Sequence, residues 1–111
     1  MAKVNSEKTF DALEIRDTSA HNGTQINNYD FQLKTIVVEN GLNQEVSFQC
    51  QASVHDDFSN TFNVGTAWPV SASTNTYQTC DSYFPYMRLV ATCASSPSSG
   101  DLTVHFIQYG E

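Results

Sequence analysis

The sequence is poor in charged residues, in proline and in glycine, and it contains no long hydrophobic run. Lys and Arg total five against twelve Asp and Glu, which gives the 111-residue chain a formal net charge of −7 at pH 7. Nucleic-acid binding needs clustered cations, and five dispersed Lys and Arg residues do not supply them. A membrane-spanning helix needs about 20 consecutive apolar residues, and no stretch approaches that length. We therefore expect neither nucleic acid nor a membrane as a partner.

Cysteine is also scarce, and the three residues Cys50, Cys80 and Cys93 are an odd number, unlike the disulfide framework of a small secreted domain. No Cys-x-x-Cys pair or histidine cluster has zinc-site spacing, and the acidic turn at residues 55–60 offers too few oxygens for calcium. The G-x-S-x-G, H-E-x-x-H and P-loop motifs are missing. We predict buried thiols, with one disulfide as the alternative, and no catalytic residue, metal or cofactor.

Uncharged polar and aromatic side chains are what the chain has in quantity. Ser, Thr, Asn and Gln together number 39, and Phe, Tyr and Trp together number 13. The aromatic and β-branched residues supply enough apolar surface for a chain of this length to form one core. At the N-terminus, Met1 to Lys8 contain no apolar stretch, so we expect no secretory signal.

Strand patterns with a period of two dominate from about residue 30. Hydrophobic residues alternate with Ser and Gln at residues 46–54, and a similar alternation follows at residues 87–93. Such alternation predicts strands with one buried and one solvated face. The predicted inward residues are Val46, Phe48, Cys50, Ala52 and Val54 in the first strand and Met87, Leu89, Ala91 and Cys93 in the second.

Neighbouring strand segments predict two hairpins. Residues 31–38 would pair with residues 46–54 across the loop that begins at Asn40, and residues 87–93 would pair with residues 102–107. Pro69 lacks the N–H that a central strand must donate, so its strand is predicted to lie at an edge or to begin after it.

The fold prediction is an all-β chain of about seven or eight strands, spaced roughly 8–12 residues apart as in a sandwich or jelly roll. We predict one antiparallel, jelly-roll-like β-sandwich over residues 31–111. A polar N-terminal arm and edge segment would occupy residues 1–30. Within it, residues 8–16 fit either an edge strand or a short helix, and residues 17–28 are typical of a long loop. We expect this arm to become ordered by docking on a neighbouring chain.

Aromatic residues are concentrated in the second half of the chain. Five of them could form a platform for a sugar or a protein, or could fill the core: Trp68, Tyr77, Tyr83, Phe84 and Tyr86. Arg88 is predicted on an outward face, as the ion-pair partner of an acid that could belong to another subunit. The candidate interface or binding residues are Trp68, Tyr83, Phe84, Tyr86 and Arg88.

Three segments carry a resemblance to a known family. Residues 37–53 read Val-Val-Glu-Asn-Gly-Leu-Asn-Gln-Glu-Val-Ser-Phe-Gln-Cys-Gln-Ala-Ser, residues 83–89 read Tyr-Phe-Pro-Tyr-Met-Arg-Leu, and residues 96–104 read Ser-Pro-Ser-Ser-Gly-Asp-Leu-Thr-Val. In this order they resemble small β-sandwich virion proteins of tailed bacteriophages, prophages and related archaeal viruses. The resemblance covers about two thirds of the chain and excludes its first thirty residues.

The resemblance implies a structural role, as a capsid decoration (cement) protein or another repeated virion component. Its partners would be copies of itself and another virion protein, and it would reach the virion after synthesis in a host cytoplasm. Symmetric self-association would cover the sheet edges, so a homo-oligomer is expected. The alternatives are a carbohydrate-binding or host-attachment module, with Trp68 and residues 83–86 as its sugar platform, and a tube or filament subunit. No enzyme activity is expected.

Overall fold

The computed structural model describes residues 3–27, 33–79 and 85–110, and every regular element in these ranges is a β-strand. None of the described residues belongs to a helix long and apolar enough to cross a membrane. The prediction of an all-β chain is confirmed. The strands are β1 Lys3–Leu13, β2 His21–Asn22, β3 Ile26–Asn27, β4 Leu33–Asn40, β5 Val46–Ser53, β6 Phe62–Val70, β7 Thr74–Thr79, β8 Tyr86–Thr92 and β9 Leu102–Gly110.

The strands form two antiparallel sheets with the core between them. One sheet has the order β1-β9-β4-β7, and the other has the order β2-β8-β5-β6, with β3 also paired to β8. The pairs β5–β6, β4–β7, β2/β3–β8 and β1–β9 are nested like the two arms of one long hairpin. Rolling that hairpin up brings β4 beside β9 and β5 beside β8, which gives the double-sheet jelly roll.

Both predicted hairpins are wrong. β4 and β5 belong to different sheets, and so do β8 and β9. The loops that follow β4 and β8 carry the chain from one sheet to the other. A hairpin and a crossover can bury the same alternating residues, so the pattern identified the buried face and not the neighbouring strand.

The core confirms the inward residues of the two clearest strands, with one exception. The predicted positions on β5 and β8 are buried, but Val54 is 55% exposed and Ser53 is fully buried. The alternation ends there because β5 ends at Ser53, whose hydroxyl accepts a hydrogen bond from the backbone N–H of His55 at 3.0 Å. Pro69 lies on β6 at the edge of its sheet, as its missing N–H predicted.

The described part of the N-terminal segment is built into both sheets. β1 is the edge strand beside β9, and its Phe10 and the following Ile15 lie in the core. β2 and β3 pair with β8, and Gly23 N–H donates to the carbonyl of Leu89 at 2.8 Å. The expected loop thus supplies backbone partners to β8, and this pairing involves no second chain. The predicted domain boundary at residue 30 lies outside the described residues and stays a prediction.

The loops that follow β4 and β8 hold each other in place. Gly41 N–H donates to the carbonyl of Asp101 at 2.8 Å, and the Asn43 side chain donates to the Ser98 hydroxyl at 2.8 Å. Gly100 has φ +87°, and a Cβ there would overlap the carbonyl oxygen of Gly41. Only glycine fits this close crossing of two backbones.

Asn40 secures the same corner from inside the protein. Its side chain is 1% exposed, and its Nδ2 group lies within 3.3 Å of the carbonyl oxygens of Gln44, Val70 and Ser71. Its Oδ1 accepts the Leu42 N–H at 3.1 Å. A buried amide with these partners ties the end of β4 to the end of β6.

Candidate functional site

The β6–β7 side, defined here by strands β6 and β7, buries very few of its side chains. The two strands are the neighbouring edges of the two sheets, and Val70 is the only buried residue in either of them. Phe62 and Tyr77 are large apolar side chains that remain 52% and 71% exposed. Phe62 belongs to the second sheet and Tyr77 lies on the outer face of the first, so the two rings are separate exposed positions.

Trp68 anchors the inner face of β6. It lies opposite Phe48 in the strand register, and the two ring centroids are 5.0 Å apart with an interplanar angle of 31°. The register shifts immediately beyond this pair, near Gly65, whose φ is +72°. Gln49 Nε2 donates to the carbonyl oxygen of Gly65 at 3.3 Å, so a side-chain amide holds the irregular backbone in place.

A cleft of about 270 Å³ opens beside Trp68 between the two edge strands. Val64 and Trp68 supply apolar surface, whereas Thr66, Gln78 and Thr79 supply hydroxyl and amide groups. Such a lining can hold an apolar side chain or stack on a polar ring. In the ranges that the structure describes, no cluster of three His, Cys, Asp or Glu residues could bind a metal ion.

Arg88 lies on the outer face of the second sheet and is half-buried. Its Nε donates to Gln51 Oε1 at 2.9 Å, and its guanidinium carbon lies 4.5 Å from the centroid of the Phe58 ring. Within residues 3–27, 33–79 and 85–110 it forms no ion pair. The guanidinium group therefore contacts the Gln51 amide and the face of the Phe58 ring. An ion pair with an acid of another subunit stays a prediction.

The described candidate residues do not share one surface. Residues directly opposite each other in an antiparallel pair point to the same face. Trp68 shares the inner face with Phe48, whereas Tyr86 and Arg88 alternate with the buried Met87 and therefore face outward. Tyr77 lies on the outer face of the other sheet. Trp68, Tyr77 and Tyr86 thus form no single aromatic strip.

The two described cysteines are buried, Cys50 at 5% and Cys93 at 0% exposure. Burial raises the pKa of the Cys93 thiol, and the nearby negative charge of Asp17 raises it further. A thiol held in its neutral form is a poor nucleophile. Three other residues singled out by the sequence lie outside the described ranges, so their predictions stay open: Cys80, Tyr83 and Phe84.

Two histidines pair with carboxylates away from the cleft. His105 Nε2 lies 2.8 Å from Glu39 Oε1 on the first sheet, and His21 Nε2 lies 2.8 Å from Asp17 Oδ1 beside β2. The hydrogen bond from His21, followed by the one from the Ser19 N–H, lowers the pKa of Asp17. Sequence reasoning missed both pairs. Glu39 and His105 meet only when β4 lies beside β9, whereas Asp17 and His21 meet through the local path of the chain before β2.

Prophage and virus proteins share this fold. The SPBc2 prophage-derived protein YomS has a TM-score of 0.66 at 14% identity, and the alignment covers 99% of this chain and 96% of that chain. The PBSX exported protein XepA also has a TM-score of 0.66, at 13% identity over 99% of this chain, which spans 37% of XepA. The coat protein of Tobacco streak virus has a TM-score of 0.55 at 12% identity, covering 97% and 85% of the two chains.

These likenesses show a common fold. No family model matches the chain, and no curated protein matches it in sequence. The predicted sandwich or jelly roll is confirmed, because the sheet order and these alignments over nearly the whole chain agree. The resemblance to β-sandwich proteins of phages and prophages is confirmed at the level of the fold.

Proposed function

We propose that this protein is a structural component of a virion, present in many copies. The observation that carries the proposal is the alignment of almost the entire chain with a prophage-derived protein and with a virus coat protein. A jelly roll of this size presents two sheet faces and several strand edges, and these surfaces are suited to contacts with other proteins. The role is non-enzymatic.

Within that role, capsid decoration is the form we favour. The outer face of the second sheet is built largely from uncharged polar groups, with Arg88 held between Gln51 and Phe58. The β6–β7 side adds exposed apolar surface. Two different surfaces suit a protein that contacts both its own copies and another virion protein. The proposed interface residues are Trp68, Tyr83, Phe84, Tyr86 and Arg88.

The experiment uses particles produced by a virus from which this gene has been deleted. Purified protein added back to such particles should bind at a fixed copy number, measured by mass spectrometry and by immunogold labelling in electron micrographs. Arg88→Ala should reduce binding, whereas Arg16→Ala should not, because Arg16 pairs with Glu14 and is not one of the proposed interface residues. A protein that is absent from wild-type particles and does not bind deleted ones would overturn the proposal.

A carbohydrate-binding module is the second candidate, and the cleft beside Trp68 favours it. A half-buried indole next to Gln78 and Thr79 offers a stacking face and hydrogen-bonding groups, which are what sugar rings bind. It ranks second because Trp68 already packs on Phe48 and because Trp68, Tyr77 and Tyr86 face different surfaces. Saturable glycan-array binding that Trp68→Ala abolishes would favour it over the virion role. A tube or filament subunit would instead be recognised in micrographs of the purified protein.

A further inference from the structure

The edges of the two sheets differ in how they are protected against pairing with another strand. β1 carries charged residues such as Lys8 and Asp11, and its register with β9 shifts twice. β2 and β3 are two-residue fragments. β6 contains Pro69, and its register shifts near Gly65. Charge, proline, irregular register and short length are the means by which natural sheets block edge pairing.

β7 has none of these protective features. Its six residues, Thr-Asn-Thr-Tyr-Gln-Thr, include no charge, no proline and no glycine. It pairs with β4 at six consecutive positions without a register shift, and among the described strands nothing pairs with its other edge. Thr and Tyr favour extended backbone. β7 therefore presents a regular row of backbone N–H and C=O groups that can accept another strand.

We propose that the free edge of β7 binds the β7 strand of a second copy of this chain. The two strands would run antiparallel across a two-fold axis, and the two four-stranded sheets would join into one sheet of eight strands. This proposal rests on the proposed assembly role and names the surface that makes the contact between copies.

The charge distribution favours a second copy as the occupant. A chain with a net charge of −7 repels its own copies, and a contact made by an uncharged strand keeps charge out of the interface. Self-pairing of β1 would instead place charged side chains such as Glu7, Lys8 and Asp11 at the interface. Among the described strands, β7 is the regular edge strand whose self-pairing brings no charged side chain of the strand into the interface.

The strand register allows this pairing. In the joined sheet, the core-facing residues of one β7 strand must lie opposite the core-facing residues of the other. A two-fold axis at Tyr77 satisfies that condition. It places Tyr77 against Tyr77, Thr76 against Gln78 and Asn75 against Thr79. Aromatic and hydroxyl or amide cross-strand pairs stabilise sheets. The pairing would also bury part of the Tyr77 ring, which is 71% exposed in the single chain.

The test measures molecular mass by sedimentation equilibrium. The wild-type chain, 12.3 kDa as a monomer, should form a reversible dimer. Tyr77→Lys and Tyr77→Glu should each weaken dimerisation at least about tenfold, because like charges then face each other across the axis. Mixing the two variants should restore a dimer, a rescue that a folding defect cannot produce. Phe62→Lys, an exposed aromatic position on β6, should leave the dimer intact.

Several results would overturn the proposal: a wild-type chain that stays monomeric, variants that dimerise as the wild type does, failure of the mixed variants to associate, or open filaments in place of dimers. A monomer that still binds virus particles would refute the edge pairing and leave the virion role standing. A Tyr77-dependent dimer that binds no particle would refute the virion role and leave the edge pairing standing.

Discussion

The β5–β8 pair and the β6–β7 side contain similar strand-forming residues and bury very different amounts of them. β5 and β8 hide their inner side chains between the sheets, whereas β6 and β7 together bury only Val70. Phe48 and Phe62 illustrate the contrast, since one ring is fully buried and the other is half exposed. The difference indicates that the central strands carry most of the buried apolar surface, and it leaves the β6–β7 side as the place where we propose contact between copies.

The largest effect is expected from truncating the two phenylalanines. Phe48→Ala should lower the free energy of unfolding by about 3–5 kcal/mol, because it leaves a cavity against Trp68. Phe62→Ala, the matched change on β6, should alter it by less than about 1 kcal/mol, because its ring is half exposed. Urea unfolding curves measure both. Equal losses would mean that the β6–β7 side belongs to the core.

A pair of glycines gives the next largest difference. Gly100→Ala should destabilise the chain by about 2–4 kcal/mol, since the new Cβ overlaps Gly41 and adds strain at positive φ. Gly65→Ala meets the same kind of strain at φ +72° but has no atom within 4 Å of the Cβ, so we expect about 1 kcal/mol. Thermal unfolding midpoints should preserve this order. A larger loss for Gly65→Ala would contradict the description of an open edge at β6.

Two asparagines provide a smaller contrast. Asn40→Ala should lower the free energy of unfolding by about 1–3 kcal/mol. The change leaves the buried Leu42 N–H and the carbonyl oxygens of Val70 and Ser71 without their hydrogen-bond partner. Asn75→Ala, on the exposed β7 strand, should change the stability of the chain at low protein concentration by less than about 0.5 kcal/mol. Denaturant titrations would show this difference, and equal effects would contradict the role given to Asn40.

The smallest effect should come from Asp17. Its pKa is lowered below 3.8 by the hydrogen bond from His21 and by the Ser19 N–H, so its contribution is present above pH 3.8 and is lost as the pH falls through the lowered value. Asp17→Asn should therefore flatten the fall in stability below about pH 4. Unfolding curves at a series of acidic pH values would record this, and an unchanged profile would contradict the pairing.

Local burial could be predicted from the sequence far better than the pairing of distant strands. Alternation identified the buried faces of β5 and β8, and Pro69 placed β6 at an edge, because these are properties of neighbouring residues. The pairing of β4 with β7 and β9 depends on strands that lie far along the chain, which no local pattern encodes. The role of Asn40 depends in the same way on Val70, thirty residues away.

The candidate site was harder to predict for the same reason. The sequence grouped Trp68 with Tyr86 because both are aromatic, but the register of β6 on β5 turns the indole inward. The alternation beginning at the buried Met87 turns Tyr86 outward. The unprotected edge of β7 became recognisable only when the sheet order showed which strands lie at edges.

Hydrogen–deuterium exchange at two protein concentrations tests most directly whether a second copy covers the β7 edge. Alternate N–H groups of an edge strand point away from its sheet and exchange freely until another strand pairs with them. We predict that exchange across residues 74–79 slows as the concentration rises, while exchange in β6 and β1 stays unchanged. Exchange in β7 that is independent of concentration would contradict the account.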